Sequence, residues 1–175
     1  MNTTHDQDIK KLNSLLRGEI AAVETYGQCI EKMKDSATVT ELRELQSSHQ
    51  RRVNELRQQI FAIGGQPEQG SGAWGAFAKL VEGGAKVFGE SAAISALEEG
   101  EDKGKRDYAD LDGLSPNVRS FVQRVLMPEQ QRTHDALSRI FGPRFAAYYL
   151  DEFLFVPPEK WSADAPSLEG GSDAG

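Results

Sequence analysis

Apolar residues recur along the chain at steps of three, four and seven, and four long stripes of this kind predict four helices. The first carries Ile9, Leu12, Leu15, Leu16, Val23, Tyr26, Ile30 and Met33, with Glu19 near its centre. Asp6 or Asp8 is placed to cap it, and the break falls near Lys34–Thr38. The second starts around Val39, with Ser36, Thr38 or Thr40 as candidate caps and Thr38 with Glu41 as a capping box. Its stripe is Leu42, Leu45, Val53, Leu56, Ile60 and Ile63, with His49 at the centre, Gln46 about 60° aside and Glu44 pointing away. Gly64, Gly65 and Pro67 stop it.

A turn-rich link and a small, moderately apolar segment with Trp74, Phe77, Leu80, Val81 and Phe88 follow. We read these residues as one or two short helices within a long crossover, at about 66–92. The third main helix, residues 94–111, carries Ile94, Leu97, Glu101 and Tyr108 on one face. The fourth opens with Ser115 as cap and Pro116 in its first turn, then shows Val118, Phe121, Val122, Val125, Leu126, Glu129, Ala136, Leu137, Ile140 and Phe141. Pro128 should bend it and Gly142–Pro143 should end it. The aromatic segment that follows, including Phe145, Tyr148, Tyr149, Phe153 and Phe155, is either a short fifth helix covering a bundle end or a surface for self-association. The fold class read from these patterns is all-α, an antiparallel four-helix bundle with a long crossover between main helices two and three. Residues 1–161 form the bundle with its aromatic segment, and 162–175, acidic and rich in Gly and Ser, form a disordered tail.

Composition narrows the function. Twenty basic against 27 acidic residues give a formal charge of −7, which argues against binding nucleic acid through its backbone. Mixed runs such as Arg51-Arg52 among glutamates read as solvated helix surface. The single cysteine, Cys29, excludes an intrachain disulfide and makes a thiolate cluster implausible. Met1 to Lys11 lacks an apolar core of the kind a signal peptide needs, and no run reaches 18 apolar residues, so the expectation is a cytoplasmic protein without a membrane span.

The polar residues inside the stripes carry the candidate chemistry. Glu19 precedes Tyr26 by seven residues, and Glu101 precedes Tyr108 by seven. Seven residues turn a helix by about 700°, about 20° short of two circles, so each pair shares a face. A lone buried carboxylate is costly, so two in matching positions call for an interior partner. Glu44 to His49 echoes Glu129 to His134, each with a Gln three before the His, Gln46 and Gln131. One carboxylate and one imidazole per half suit a near-twofold site for iron or manganese, or zinc. The alternative is a buried polar network.

The spaced Glu and Tyr on helices one and three, a His on two and four, and the long crossover resemble the ferritin-like superfamily, rubrerythrin in particular. The segments around residues 12–26, 55–72, 96–108 and 133–135 resemble more closely a bacterial branch, the DUF2383 family, over roughly residues 9–142. The resemblance implies a four-helix bundle and a diiron-type pocket. Its ligand set would be Glu19, His49, Glu101 and His134 or Glu129, with Glu98 about 60° from Glu101 lending charge. Ferritin-like metalloenzymes have a glutamate three residues before each of those histidines, where this chain has Gln46 and Gln131. An amide oxygen ligates but brings no negative charge. Spacing favours Glu129 on the fourth helix and the resemblance favours His134. No catalytic residue is assigned. The expected function is a non-catalytic or weakly metal-binding helical protein that forms homo-oligomers. The alternative is a diiron or dimanganese oxidoreductase acting as a ferroxidase or peroxidase.

Overall fold

The computed structural model describes residues 3–72 and 93–154, with side chains through Gly142. Helix α1 spans Thr3–Ile30 and helix α2 spans Ser36–Ala62. Helix α3 covers 93–109, α4 covers Pro116–Phe121 and α5 covers Met127–Leu154, the last two joined by a π turn at Val122–Leu126. The architecture is all-α, four main helices with a long crossover between the second and third, and it is a ferritin-like bundle. The described residues contain no strand. The expected crossover helices at 73–92 and the tail from 162 lie outside the described residues. Two compact units divide at Gly142, and the site described below lies wholly in residues 1–141.

Local chemistry explains the boundaries. Asp35, not a Thr38–Glu41 box, caps α2, its carboxylate accepting from the backbone N–H and the hydroxyl of Thr38. The helix therefore begins at Ser36, one turn earlier than the apolar stripe alone indicates. Gly64, at φ 77°, ends it, a conformation that favours glycine. Ser115 caps α4 and Pro116 sits in its first turn.

α1 and α2 run antiparallel, as the pairs His5 with Ile63 and Val23 with Gln46 show. α1 and α3 are antiparallel too, because Glu19 meets Tyr108 while Tyr26 meets Glu101. Leu12, Leu16, Leu56, Ile60, Val118, Val122 and Leu126 fill one shared core. Of the residues expected to be central, Leu16, Tyr26, Leu56, Ile60 and Leu97 are buried and Ile140 is only half-buried. The start of the crossover is tied along α1. Asn13 donates to the Gln66 carbonyl and accepts from the Glu68 N–H, and Ser71 donates to Glu24. Beyond the undescribed residues, the Cys29 thiol donates to the Ala93 carbonyl and fixes the start of α3.

The fourth main helix departs from the straight reading. Its buried positions are Val118, Val122, Leu126, Gln130, Thr133, Leu137 and Phe141. Three consecutive steps of four would drift about 120° off one face of a regular helix, at about 40° a step. The π turn sets the register back by one residue, about 100°, and restores the face. Pro128 supplies the cause. It lacks an N–H, and its ring would crowd the carbonyl four residues earlier, so the preceding turn widens, with Met127 N–H reaching back to the Val122 carbonyl. Gly142–Pro143 does not end the helix, which continues to Leu154. One proline removes a single ladder bond, and the helix on either side persists.

Candidate functional site: a buried charge network

Glu19, His49 and Glu101 meet between the helices, each about 4% exposed. Nδ1 of His49 lies 2.8 Å from Glu19 Oε2 and Nε2 lies 2.9 Å from Glu101 Oε1. The tyrosines cross between the halves. Tyr26 on α1 donates to Glu101 Oε1 at 2.7 Å, and Tyr108 on α3 donates to Glu19 Oε1 at 2.8 Å. The seven-residue spacing is thus used twice, and each tyrosine serves the carboxylate of the opposite helix.

The member that the sequence reading missed is Arg52. It is 1% exposed, its Nε donates to Glu19 Oε1 at 2.9 Å, and its Nη2 lies 2.7 Å from His49 Nδ1 and 3.5 Å from Thr133 Oγ1. Arg51, one residue before it, is exposed. The signal was positional: Arg52 follows His49 by three, which returns to within about 60° of the same face, next to Val53 and Leu56.

On α5 neither Glu129 nor His134 faces the centre; Gln130 and Thr133 do. Gln130 donates to the Glu101 carbonyl at 3.1 Å and Thr133 donates to Glu101 Oε2 at 3.2 Å. Glu129 is on the outer side with Ser48, Arg51 and Arg132, and its carboxyl is held at about 2, chiefly by the hydrogen bond from Arg132. His134 pairs with Asp102 and Asp135, and Gln131 with Asp135. The π turn accounts for the one-residue offset. Gln46 is half-buried and donates to the Val23 carbonyl at 2.9 Å, over Gly27. Glu98 is half-buried, with its pKa raised by burial and then by Asp102.

The repeat expected from the sequence, Gln46 with Gln131 and His49 with His134, does not meet at the centre; there Gln46 is matched by Gln130, and His49 by Thr133. Both glutamines reach a backbone carbonyl of the carboxylate-bearing helix beside a glycine, Gly27 or Gly104. His49 bonds Glu19 as Thr133 bonds Glu101. Thr133 is the smaller side chain of that matched pair, and the Arg52 guanidinium reaches toward its hydroxyl.

Electrostatics follow from this packing. Burial works to raise the Glu19 carboxyl, but Arg52 and then His49 outweigh it and hold the group at about 2. Glu101 is likewise lowered against the effect of burial, through its His49 hydrogen bond first. Burial alone would lower the His49 pKa, and Glu19 and Glu101 turn the net shift upward. With His49 protonated, two cations face two carboxylates and the interior is neutral. With His49 neutral and its proton on Nε2, Nε2–H donates to Glu101, Nδ1 accepts from Arg52, and the Nδ1–Glu19 contact is no longer a hydrogen bond. Both tyrosines are raised well above 10, by burial and then by the carboxylate each one bonds.

As arranged, these donors do not fit a metal ion. Among the described residues no three His, Cys, Asp or Glu side chains are disposed to hold one. Arg52, a permanent cation bonded to Glu19 Oε1, would compete with a metal ion for that carboxylate.

A family model described as a domain of unknown function, DUF2383, matches residues 7–111, which include α1, α2 and α3 except for the first four residues of α1. No curated protein and no solved structure matches the chain.

Proposed function

The chain belongs to the DUF2383 family, and on that premise we propose that it is a non-catalytic, self-associating helical-bundle protein whose centre is held by its own cation. The carrying observation is the Arg52 guanidinium, fully buried against Glu19 and His49. Arginine supplies there one of the two positive charges that two interior carboxylates require, protonated His49 supplies the other, and their oxygens are engaged by tyrosine, histidine and threonine donors. Self-association is supported by the apolar run Phe145 to Val156, more apolar than an isolated surface segment needs. Cys29, buried, unpaired and raised to about 12 by burial, suits a reducing compartment such as the cytoplasm.

The test is metal loading. Protein incubated anaerobically with excess ferrous iron, or with manganese, and then desalted should retain metal only at background by elemental analysis. Near-stoichiometric retention in the wild type, lost in Glu101→Ala, would replace this reading with a carboxylate–histidine metal centre. Association is read separately by sedimentation, where removal of residues 144–161 should lower the mass.

A further inference from the structure

Two cavities of about 30 Å³ each border the network on its α1 and α3 side. Gly18, Ala22, His49, Gly100 and Glu101 line both. Their remaining walls differ in chemistry. The first is completed mainly by Ala21, Thr25, Tyr26, Ala96 and Leu97. Its hydroxyls are already committed, Thr25 to the Ala21 carbonyl and Tyr26 to Glu101. The second adds Leu15, Glu19, Gly104, Asp107, Tyr108 and Gln130.

In the second cavity hydrogen-bonding capacity is left over. A carboxylate oxygen accepts about two bonds. Among the described residues Glu19 Oε2 has the one contact with His49, and the two bonds to Glu101 Oε2 are long, 3.2 and 3.5 Å. A water needs about 10–15 Å³ of such space and two to four polar partners, and this cavity has both. Asp107 is half-buried and bonded to Lys103 at 3.0 Å, so it links the wall to the solvent side of α3.

We propose that the second cavity is a water site that bridges the Glu19 and Glu101 carboxylates and connects the buried network to solvent on the Asp107 side, while the first cavity stays dry. The volume admits about two waters. Solvent then exchanges with the Tyr108 hydroxyl and the His49 ring without unfolding of the bundle. This inference holds for an arginine-filled centre and adds to that reading a solvent entrance.

Oxygen-17 relaxation dispersion counts long-lived waters, and water-selective NMR locates them. The wild type should show cross-peaks from long-lived water to the Tyr108 ring, with none to Leu97 methyls. Gly104→Ala adds a methyl that meets only the Gln130 amide, at 3.5 Å, and Ala22→Val fills the wall that both cavities share. In at least one variant the dispersion should fall by about one water and the Tyr108 cross-peak should vanish. Absence of that cross-peak in the wild type would overturn the proposal, as would unchanged dispersion in both variants. Neither result depends on metal retention, so failure here and failure of the proposed role are told apart.

Discussion

At the residue scale the centre is defined by pairing. Tyr26 and Tyr108 each donate one hydrogen bond to a buried carboxylate. Bonds of that kind contribute about 1.5–3 kcal/mol each. Tyr26→Phe and Tyr108→Phe should therefore lower urea stability by similar amounts within that range, and a loss under about 0.5 kcal/mol in either would break the symmetry argued here. The pH dependence has two limbs. Glu19 is held at about 2 when folded against an ordinary 4.5, so its contribution is present above 4.5 and is lost as pH falls from there toward 2. His49 is shifted the other way, upward from 6.5, so its contribution is complete below 6.5 and is lost as pH rises through the higher folded value. Melting temperature against pH should accordingly fall on both sides, and His49→Gln should flatten the alkaline side while keeping the acid one.

At the element scale the π turn decides which side chains of α5 reach the interior. Deleting the exposed Gln123 removes the one residue that the π turn absorbs, so it should convert the turn to regular helix and leave Gln130 and Thr133 on the same face as Val118 and Val122. The expected result is a loss of about 3 kcal/mol in chemical denaturation, the cost of seating Pro128 in regular helix, with the buried face itself unchanged. In α3, Gly104→Ala gains about 0.5–1 kcal/mol of helix propensity and its methyl meets only an ordinary contact, so the net stability change in denaturation should be that gain less the hydrogen bonds of any water the methyl displaces. These two elements also show what could be read from the chain. Periodicity was enough for α1 and α2, whose stripes are uninterrupted, and it placed Glu19, His49 and Glu101 inward correctly. It failed on α5, since Pro128 announces a discontinuity without stating the rotation it causes. Arg52 was hidden for another reason: a charged residue beside Arg51 reads as surface until its carboxylate partner from another helix is known.

At the scale of the molecule, four helices enclose two carboxylates, and the chain supplies their counter-charge from α2. Removing one partner of a buried pair leaves an uncompensated charge and costs about 3–5 kcal/mol, whereas removing both can be close to neutral. The Arg52–Glu19 bond, 2.9 Å long with both side chains nearly inaccessible, is the place to apply that rule. The most direct measurement is a double-mutant cycle with Arg52→Met, Glu19→Gln and the combined variant, followed by urea denaturation. If Arg52 is the cation that holds the centre, each single change should cost about 3–5 kcal/mol and the double variant no more than either alone, giving a coupling of about 3 kcal/mol or more. Additive losses, with coupling under about 0.5 kcal/mol, would contradict the account.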